Sequence, residues 1–243
     1  PNPGFPIYES LIHWSGATPV PMELEEATGF CFDAEKVLGK ITPATRLIIL
    51  NTPANPTGGI VPRSEMDKLV AGLEQHPHVA ILCDEIYSRL LYDGEEHVSI
   101  LQYDSVRDRA IMLDGWSKTY GMTGWRLGWM VVPEDHVRVV VRIAQNMFIC
   151  APHASQVAAL AAMDCDDELQ ANLAVYRTNR ALMLDGLPKA GFSNIAPPDG
   201  AFYVYADVSD LTDDSRALAA DILDKAGVSV TPGLDFDKVR GAQ

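Results

Sequence analysis

Three short stretches of this chain are almost continuously apolar and are bounded by polar turns: RLIIL (46–50), VAILC (79–83) and AIML (110–113). Strands that are buried on both faces of a parallel sheet have this pattern. Between the first two lies RSEMDKLVAGLEQ (63–75), whose apolar residues recur at helical spacing, which predicts a helix. Strand, helix and strand in succession are typical of an α/β layer, so we expect a mostly parallel sheet.

The second half of the chain predicts a change of architecture. The elements expected there are a strand at 125–132, a helix at 134–149, a long helix from near Ser155 to Leu187, an alternating strand at 200–208, a helix at 215–227 and a short strand at 228–231. We therefore divide the chain into a large domain, residues 1–169, and a smaller C-terminal α+β domain, residues 170–243, with the long helix bridging the two.

Charge and cysteine content narrow the possible classes of function. The 243 residues carry a formal net charge of -14, and an acidic surface repels phosphate backbones, so we expect no nucleic-acid partner. No apolar run reaches the ~18 residues of a membrane helix and no leader pattern is present, so we expect a cytoplasmic protein with no membrane partner. The scattered cysteines favour reduced, buried thiols over a metal site or disulfides: Cys31, Cys83, Cys150 and Cys165.

Reactive side chains follow each of the three buried runs. Asn55 follows the first run, Asp84 and Tyr87 follow the second, and Lys118 follows the third. Ligands of open parallel sheets bind beyond the carboxyl ends of the strands, so these side chains should meet at one edge. Each one alone has an ordinary structural explanation, such as a turn cap or a solvated amine. Their joint convergence, with Arg126 eight residues past the lysine, indicates a functional site.

One competing interpretation is a nucleotide hydrolase, because VAILCDE resembles an apolar strand that ends in a Walker B Asp-Glu pair. That class also needs the phosphate loop G-x-x-x-x-G-K-[ST], in which glycine backbone and a lysine hold the phosphates. The residues before Lys118 do not have this pattern, and the order of the two motifs is reversed. We exclude this class.

The same strand-end segments carry a resemblance to a known family. NTPANPTGG, DEIYSRLLYDG and SKTYGMTGWRLGW are similar to the three signature segments of class I/II aminotransferases, which are fold-type I enzymes that use pyridoxal 5'-phosphate. The likeness extends from PGFPIYES to VTPGLDFD. It implies a three-layer α/β/α fold with a mostly parallel sheet, a smaller C-terminal α+β domain, and a homodimer.

The resemblance assigns catalytic roles to three residues. Lys118 would form the internal Schiff base with the cofactor aldehyde and then move a proton as a general acid and base. Asp84 would hold the pyridine nitrogen in its protonated form, in which the cofactor is the better electron sink. Tyr87 and Asn55 would hydrogen-bond the 3'-oxygen of the ring, and Asn55 is also the residue expected to contact substrate.

Three further residues are assigned to cofactor binding by the same resemblance. Arg126 would bind the phosphate, for which a planar guanidinium is well suited. Phe5, in PGFPIY, stands where the family has the aromatic ring that stacks on the pyridine face, and Ser117 would add a phosphate contact. The Asn55–Pro56 bond is expected to be cis.

Some elements of the family pattern have no counterpart in these 243 residues. The family's glycine-rich phosphate loop and an aromatic residue contributed across the dimer precede PGFPIY, and its substrate-carboxylate arginine follows PGLDFD, so the chain resembles a piece truncated at both ends. Arg240 lies too early to be that arginine, and Asp237 stands where many members have glycine. We therefore expect most polar cofactor contacts, but weak or absent transaminase activity, for residues 1–243 alone.

The favoured function is an aminotransferase that moves an amino group between an L-amino acid and a 2-oxo acid. A second possibility is β-elimination or carbon–sulfur lysis at the same site, which would yield ammonia and a 2-oxo acid without an acceptor. A third is an effector-sensing domain of a transcriptional regulator, although neither the charge nor any visible DNA-binding module supports it.

Overall fold

A four-stranded sheet forms the centre of the chain. The computed structural model describes residues 1–242. The strands lie in the order of the sequence: β1 (Leu47–Asn51), β2 (Ala80–Asp84), β3 (Ala110–Gly115) and β4 (Gly128–Val131). The first three are parallel and the fourth is antiparallel to β3. All four predicted strands of this region are present, and the mostly parallel sheet is confirmed.

Besides the main sheet, the described residues form seven α-helices, a small second sheet and several 3-10 turns. The helices are α1 (Pro6–Trp14), α2 (Ala34–Leu38), α3 (Arg63–Leu73), α4 (Glu134–Met147), α5 (His153–Ala162), α6 (Asp166–Lys189) and α7 (Ser215–Ala226). The second sheet pairs β5 (Asn194–Ile195) with β6 (Ala206–Asp207) in antiparallel orientation. Single 3-10 turns occur at Glu26–Thr28, Ile100–Gln102, Arg107–Arg109, Thr123–Trp125 and Gly233–Asp235.

The main core lies between α3 and the strands β1 and β2. One face of α3 is buried at the spacing of helical turns, through Met66, Leu69, Val70 and Leu73. These side chains belong to the same buried cluster as the inward residues of β1 and β2. Arg109 fixes the end of the helix, since its guanidinium donates to three backbone carbonyls, those of Leu73, His76 and Val79.

The register of the strands determines where their polar ends lie. Asn51, the last residue of β1, is the register partner of Asp84, the last residue of β2. Asp84 is in turn the partner of Leu113 in β3. The carboxyl ends of the three parallel strands therefore form one edge, as the sequence predicted.

The single long helix expected from Ser155 to Leu187 is wrong. The structure has two helices, α5 and α6, separated by residues 163–165. The first turn of α6 contains Asp166, Asp167 and Glu168. Carboxylates are stabilised at the positive end of a helix, so this acidic cluster favours a new helix start at this point.

Two strand predictions in the last quarter of the chain are also wrong. Residues 228–231 form no strand, and of the alternating stretch 200–208 only Ala206–Asp207 is a strand. Gly200 and Ala201 instead donate backbone hydrogen bonds to Gly58 and Leu90, at 2.8 Å each, so residues 200–205, called the strap below, lie against the segments that follow β1 and β2. The division at residue 170 stays a prediction.

The cysteines are free, but only one of them is fully buried. Cys83 lies in β2 in the core, whereas Cys31 and Cys150 are exposed and Cys165 is partly covered, so the prediction of buried thiols holds for Cys83 alone. Within residues 1–242 the structure shows no cluster of potential metal ligands. None of the described helices has the length and apolar character needed to span a membrane.

Candidate active site

Asp84 is the centre of the polar edge. Its carboxylate accepts a hydrogen bond from the Tyr8 hydroxyl at 2.6 Å and one from the Ile86 amide at 3.3 Å. Burial raises the pKa of this carboxyl, while these two hydrogen bonds and the nearby Lys118 oppose the rise. A buried carboxylate of this kind is stabilised by a cationic partner, so the edge is suited to a protonated ligand nitrogen.

Asn55 lies in the loop after β1 and is linked to the backbone of Asp84 through Asn51. The backbone N–H of Asn55 donates to the side-chain oxygen of Asn51 at 2.8 Å. The side-chain amide of Asn51 in turn donates to the backbone oxygen of Asp84 at 3.1 Å. The Asn55–Pro56 bond is cis, as expected. Within the described chain, the buried Oδ1 of Asn55 has no hydrogen-bond partner. Buried polar atoms are rarely left unpaired, so this amide is a candidate ligand contact.

The side chains of Lys118 and Tyr87 lie close to each other in the segments that follow β3 and β2. The Lys118 ammonium lies 5.9 Å from the centre of the Tyr87 ring and 5.6 Å from that of Phe202. Tyr87 is buried, and its hydroxyl lies 2.5 Å from the hydroxyl of Tyr203. The amine is half-buried between aromatic rings, which hold a cation and limit its access to water.

The Lys118 segment packs tightly because of the glycines near it. A Cβ on Gly115 would lie 3.0 Å from the Cα of Gly128 and 3.1 Å from the oxygen of Leu127. Only glycine therefore permits this approach of β3 to β4. Next to the lysine, Trp116 Nε1 and Thr119 Oγ1 are buried without a partner in the part of the chain that is described.

The remaining predicted residues lie at the margin of this cluster. Arg126 is exposed, and its guanidinium donates to the backbone oxygen of Thr123 at 2.9 Å. Ser117 is half-buried beside the lysine. Phe5 is 41% exposed, and its ring packs edge-on against Tyr8 with 5.7 Å between centroids. The structure thus brings Asn55, Asp84, Tyr87 and Lys118 together, and the other three border them.

Comparison with known proteins gives the family. The family model described as aminotransferase class I and II matches residues 1–240. This chain belongs to the class I and II aminotransferase family.

Individual aminotransferases show how far the likeness extends. The chain is 40% identical over 242 residues to valine–pyruvate aminotransferase of Mycobacterium tuberculosis, and 35% identical over 236 residues to arginine–pyruvate transaminase of Pseudomonas aeruginosa. These matches cover 99% and 97% of this chain but 61% and 60% of the relatives. The crystal structure of a Mycobacterium tuberculosis aminotransferase matches with a TM-score of 0.90 at 39% identity, over 99% of this chain and 62% of that one. The chain therefore has the α/β fold of the fold-type I aminotransferases and spans about three fifths of these relatives' length.

The residues present fit the cofactor on which aminotransferases of this fold depend. Pyridoxal 5'-phosphate presents a ring nitrogen, a ring oxygen, an aldehyde and a phosphate. The strand-end cluster offers a carboxylate at Asp84, an unpaired amide at Asn55, a phenol at Tyr87 and an amine at Lys118, and Arg126 adds an exposed guanidinium. The donor set is therefore complementary to each of these groups.

The sequence analysis missed three aromatic residues of this candidate site. Tyr8 lies on α1, three residues after Phe5, which is the N-cap residue of that helix; this spacing was the available signal. Phe202 and Tyr203 lie in the strap that was predicted to be a strand. No local pattern indicated that this strap lies against the segments that follow β1 and β2.

Arg240, which lies too early in the sequence for the substrate-carboxylate arginine, makes structural contacts. Its guanidinium pairs with Asp237 at 2.7 Å and with Glu23 at 3.1 Å, and it donates to the backbone oxygens of Asn2 and Leu24. These contacts join the start and the end of the chain. The guanidinium is thereby engaged and is not free to bind a carboxylate substrate.

A second carboxyl near this edge has a strongly perturbed pKa. Asp114 lies in β3, and burial raises the pKa of its carboxyl to about 6 from 3.8. Hydrogen bonds from the Gly115 amide and the Ser88 hydroxyl lower it, whereas the charges of Glu85 and Asp84 add to the rise. The folded state therefore binds more protons than the unfolded state between about pH 4 and pH 6, and stability falls as pH rises through this window.

We expect Asp114→Asn to remove most of this pH dependence. At pH 7 the variant will be more stable than the wild type by about 1–2 kcal/mol, since one pKa unit corresponds to about 1.4 kcal/mol and the half-buried site is partly screened. Below about pH 4 the difference will vanish, because the wild-type carboxyl is then protonated in both states. Urea unfolding at several pH values measures this, and an unchanged pH slope in the variant would contradict it.

Proposed function

We propose that this chain acts in pyridoxal-phosphate-dependent transfer of an amino group between an L-amino acid and a 2-oxo acid. The observation that carries the proposal is the cluster of Lys118, Asp84, Tyr87 and Asn55 at the carboxyl edge of an aminotransferase sheet. Amine, carboxylate, phenol and amide together match a pyridoxal ring, whereas each alone has a structural explanation.

Asp84 has the task of keeping a proton on the ring nitrogen. When bound, the cofactor supplies an electron sink through its pyridine ring, which works best in the protonated form. The Asp84 carboxylate would accept a hydrogen bond from that nitrogen and stabilise its positive charge. Tyr8 and the Ile86 amide hold the carboxylate in place, so its direction is fixed before any ligand binds.

Lys118 has two tasks in this proposal. Its amine would bond covalently to the cofactor aldehyde and so anchor the cofactor. When not bonded to the cofactor, the same amine would serve as the base that takes a proton from the Cα of the substrate amino acid. The rings of Tyr87 and Phe202 keep the amine near this position and limit its contact with water.

The other predicted residues would hold the cofactor from its remaining sides. Tyr87 and Asn55 would bond to the ring oxygen, and Asn55 would also contact the substrate. Arg126 would pair with the phosphate, with Ser117 adding a hydroxyl, and Phe5 would stack on the ring. The exposed guanidinium of Arg126 and the partly exposed ring of Phe5 support these two assignments.

We further propose a cytoplasmic homodimer. Four free cysteines are compatible with a reducing compartment. Two helices support an interface, because α1 exposes Ile7, Leu11 and Trp14, and α4 has no buried residue. Exposed apolar side chains on a helix are a feature of protein interfaces.

Transfer is favoured over elimination because the relatives described above are aminotransferases, two of them named for pyruvate. The test supplies the 243-residue chain with pyridoxal phosphate, an L-amino acid and pyruvate. For residues 1–243 alone we expect weak amino transfer at most: any alanine should form only when both substrates are present, and it should be lost in Lys118→Arg but not in the exposed control Lys189→Arg. Ammonia and a 2-oxo acid formed from the amino acid alone would instead indicate a lyase.

A further inference from the structure

Two tyrosines that are far apart in the sequence meet at the site. The hydroxyls of Tyr87 and Tyr203 lie 2.5 Å apart, although 116 residues separate them. Their rings meet edge to face, with centroids 5.6 Å apart and planes at 80°. Tyr87 is 3% exposed and Tyr203 is half-buried, so this contact is shielded from water.

Tyr203 is held in place by the strap that carries it. Ala201, two residues earlier, donates its amide to Leu90 and accepts a hydrogen bond from the Tyr92 hydroxyl at 2.5 Å. Phe202 stacks on Tyr176 of α6, with ring centroids 5.5 Å apart. The Tyr203 hydroxyl therefore has a fixed position relative to the segment that follows β2.

The two hydroxyls can form a chain of hydrogen bonds that ends on a ligand. A phenol has one proton to donate and lone pairs to accept with. If Tyr87 donates its proton to a ligand, its oxygen can still accept the proton of Tyr203, and hydrogen bonds in such a chain strengthen one another. Burial raises the pKa of both phenols, so both are neutral and able to donate at physiological pH.

We propose that Tyr203 is a positioning residue that donates its hydroxyl proton to Tyr87 and thereby aims and strengthens Tyr87 as a donor to the cofactor ring oxygen. This inference rests on the proposed function. Besides Tyr203, the charged groups near Tyr87 are the Asp84 carboxylate and the Lys118 amine. The hydrogen-bond chain from Tyr203 through Tyr87 would therefore end beside both of them.

The test is Tyr203→Phe in the 243-residue chain loaded with pyridoxal phosphate. A donor at the ring oxygen withdraws electron density and weakens that oxygen's hold on the proton of the lysine–cofactor linkage. We therefore expect the variant to raise the pH midpoint of the cofactor's absorption change by ~0.5 unit. We also expect cofactor binding to weaken about three- to tenfold, as for the loss of one hydrogen bond.

Two further variants separate positioning from packing. Tyr205→Phe is the matched control: Tyr205 packs against Phe30 and Phe236, away from Tyr87, and its variant should leave the midpoint unchanged. The double variant Tyr87→Phe/Tyr203→Phe should have the same midpoint as Tyr87→Phe alone, because Tyr203 acts through Tyr87.

The outcomes distinguish this inference from the proposed function. If wild-type chain binds the cofactor at Lys118 but Tyr203→Phe only lowers stability to urea and leaves the midpoint unchanged, Tyr203 is a packing residue and the inference is overturned. If additional shift appears in the double variant, Tyr203 acts by another route and the hydrogen-bond chain is wrong. If wild-type chain does not bind the cofactor at Lys118, the proposed function fails first, and the inference fails with it.

Discussion

Replacing Asp84 by asparagine will reduce the proposed amino transfer by about 100-fold or more relative to the unsubstituted chain, and it will not destabilise the cofactor-free chain. The loss of activity follows because an amide cannot hold the positive charge of a protonated ring nitrogen. The stability follows from the pKa of Asp84, which burial raises above its ordinary value. Such a carboxyl makes the folded state less stable as pH rises, so removing its charge relieves a cost that is present at neutral pH.

The measurement combines an activity assay with urea unfolding of the cofactor-free chain at pH 7. Asp213→Asn is the matched control, since Asp213 is exposed and its variant should change neither quantity. An Asp84→Asn chain that transfers amino groups at the wild-type rate would remove Asp84 from the mechanism. A cofactor-free Asp84→Asn chain that is less stable than the unsubstituted chain would contradict the stability prediction.

Replacing Glu85 by alanine will have the largest expected effect on stability, a loss of about 3–5 kcal/mol in the free energy of unfolding. This carboxylate is 3% exposed and accepts from three donors: His97 Nε2 at 2.7 Å, the Ser99 hydroxyl at 3.0 Å and the Ile100 amide at 3.0 Å. The substitution leaves all three donors without their acceptor. Since Glu85 directly follows Asp84, the same contacts also hold the end of β2.

Two variants test whether the hydrogen bonds cause this effect. Glu85→Gln keeps one acceptor oxygen and should lose about half as much stability as Glu85→Ala. Glu96→Ala, at an exposed position in the same loop, should change the free energy of unfolding by less than about 0.5 kcal/mol. Similar losses for Glu85→Ala and Glu96→Ala would contradict the account.

The central sheet and its polar edge could be predicted from the sequence because their signals are local. A buried strand is a run of four or five apolar residues, and the side chain that follows it lies at the carboxyl edge by the geometry of parallel strands. Asn55, Asp84 and Lys118 each follow such a run, so their convergence at one edge is predictable from local patterns alone. The structure then gives the register of the strand ends, in which Asn51, Asp84 and Leu113 are neighbours.

The parts that were not predicted depend on distant contacts. Tyr8 reaches Asp84 across 76 residues and Tyr203 reaches Tyr87 across 116, and no periodicity in the sequence connects such pairs. The residues at 228–231 have the composition of a strand, but a strand forms only where a neighbouring strand pairs with it. Val228 and Val230 are 51% and 45% exposed, consistent with the absence of a described pairing partner.

The most direct test of the whole account is to trap the cofactor on its lysine. The 243-residue chain is incubated with pyridoxal phosphate and reduced with borohydride, and the labelled peptide is identified by mass spectrometry, with Lys118→Arg as the control. The account predicts one pyridoxyl adduct at Lys118 that disappears in the variant. Labelling spread over surface lysines such as Lys189, or equal labelling of the variant, would contradict the assignment of Lys118 as the residue that holds the cofactor.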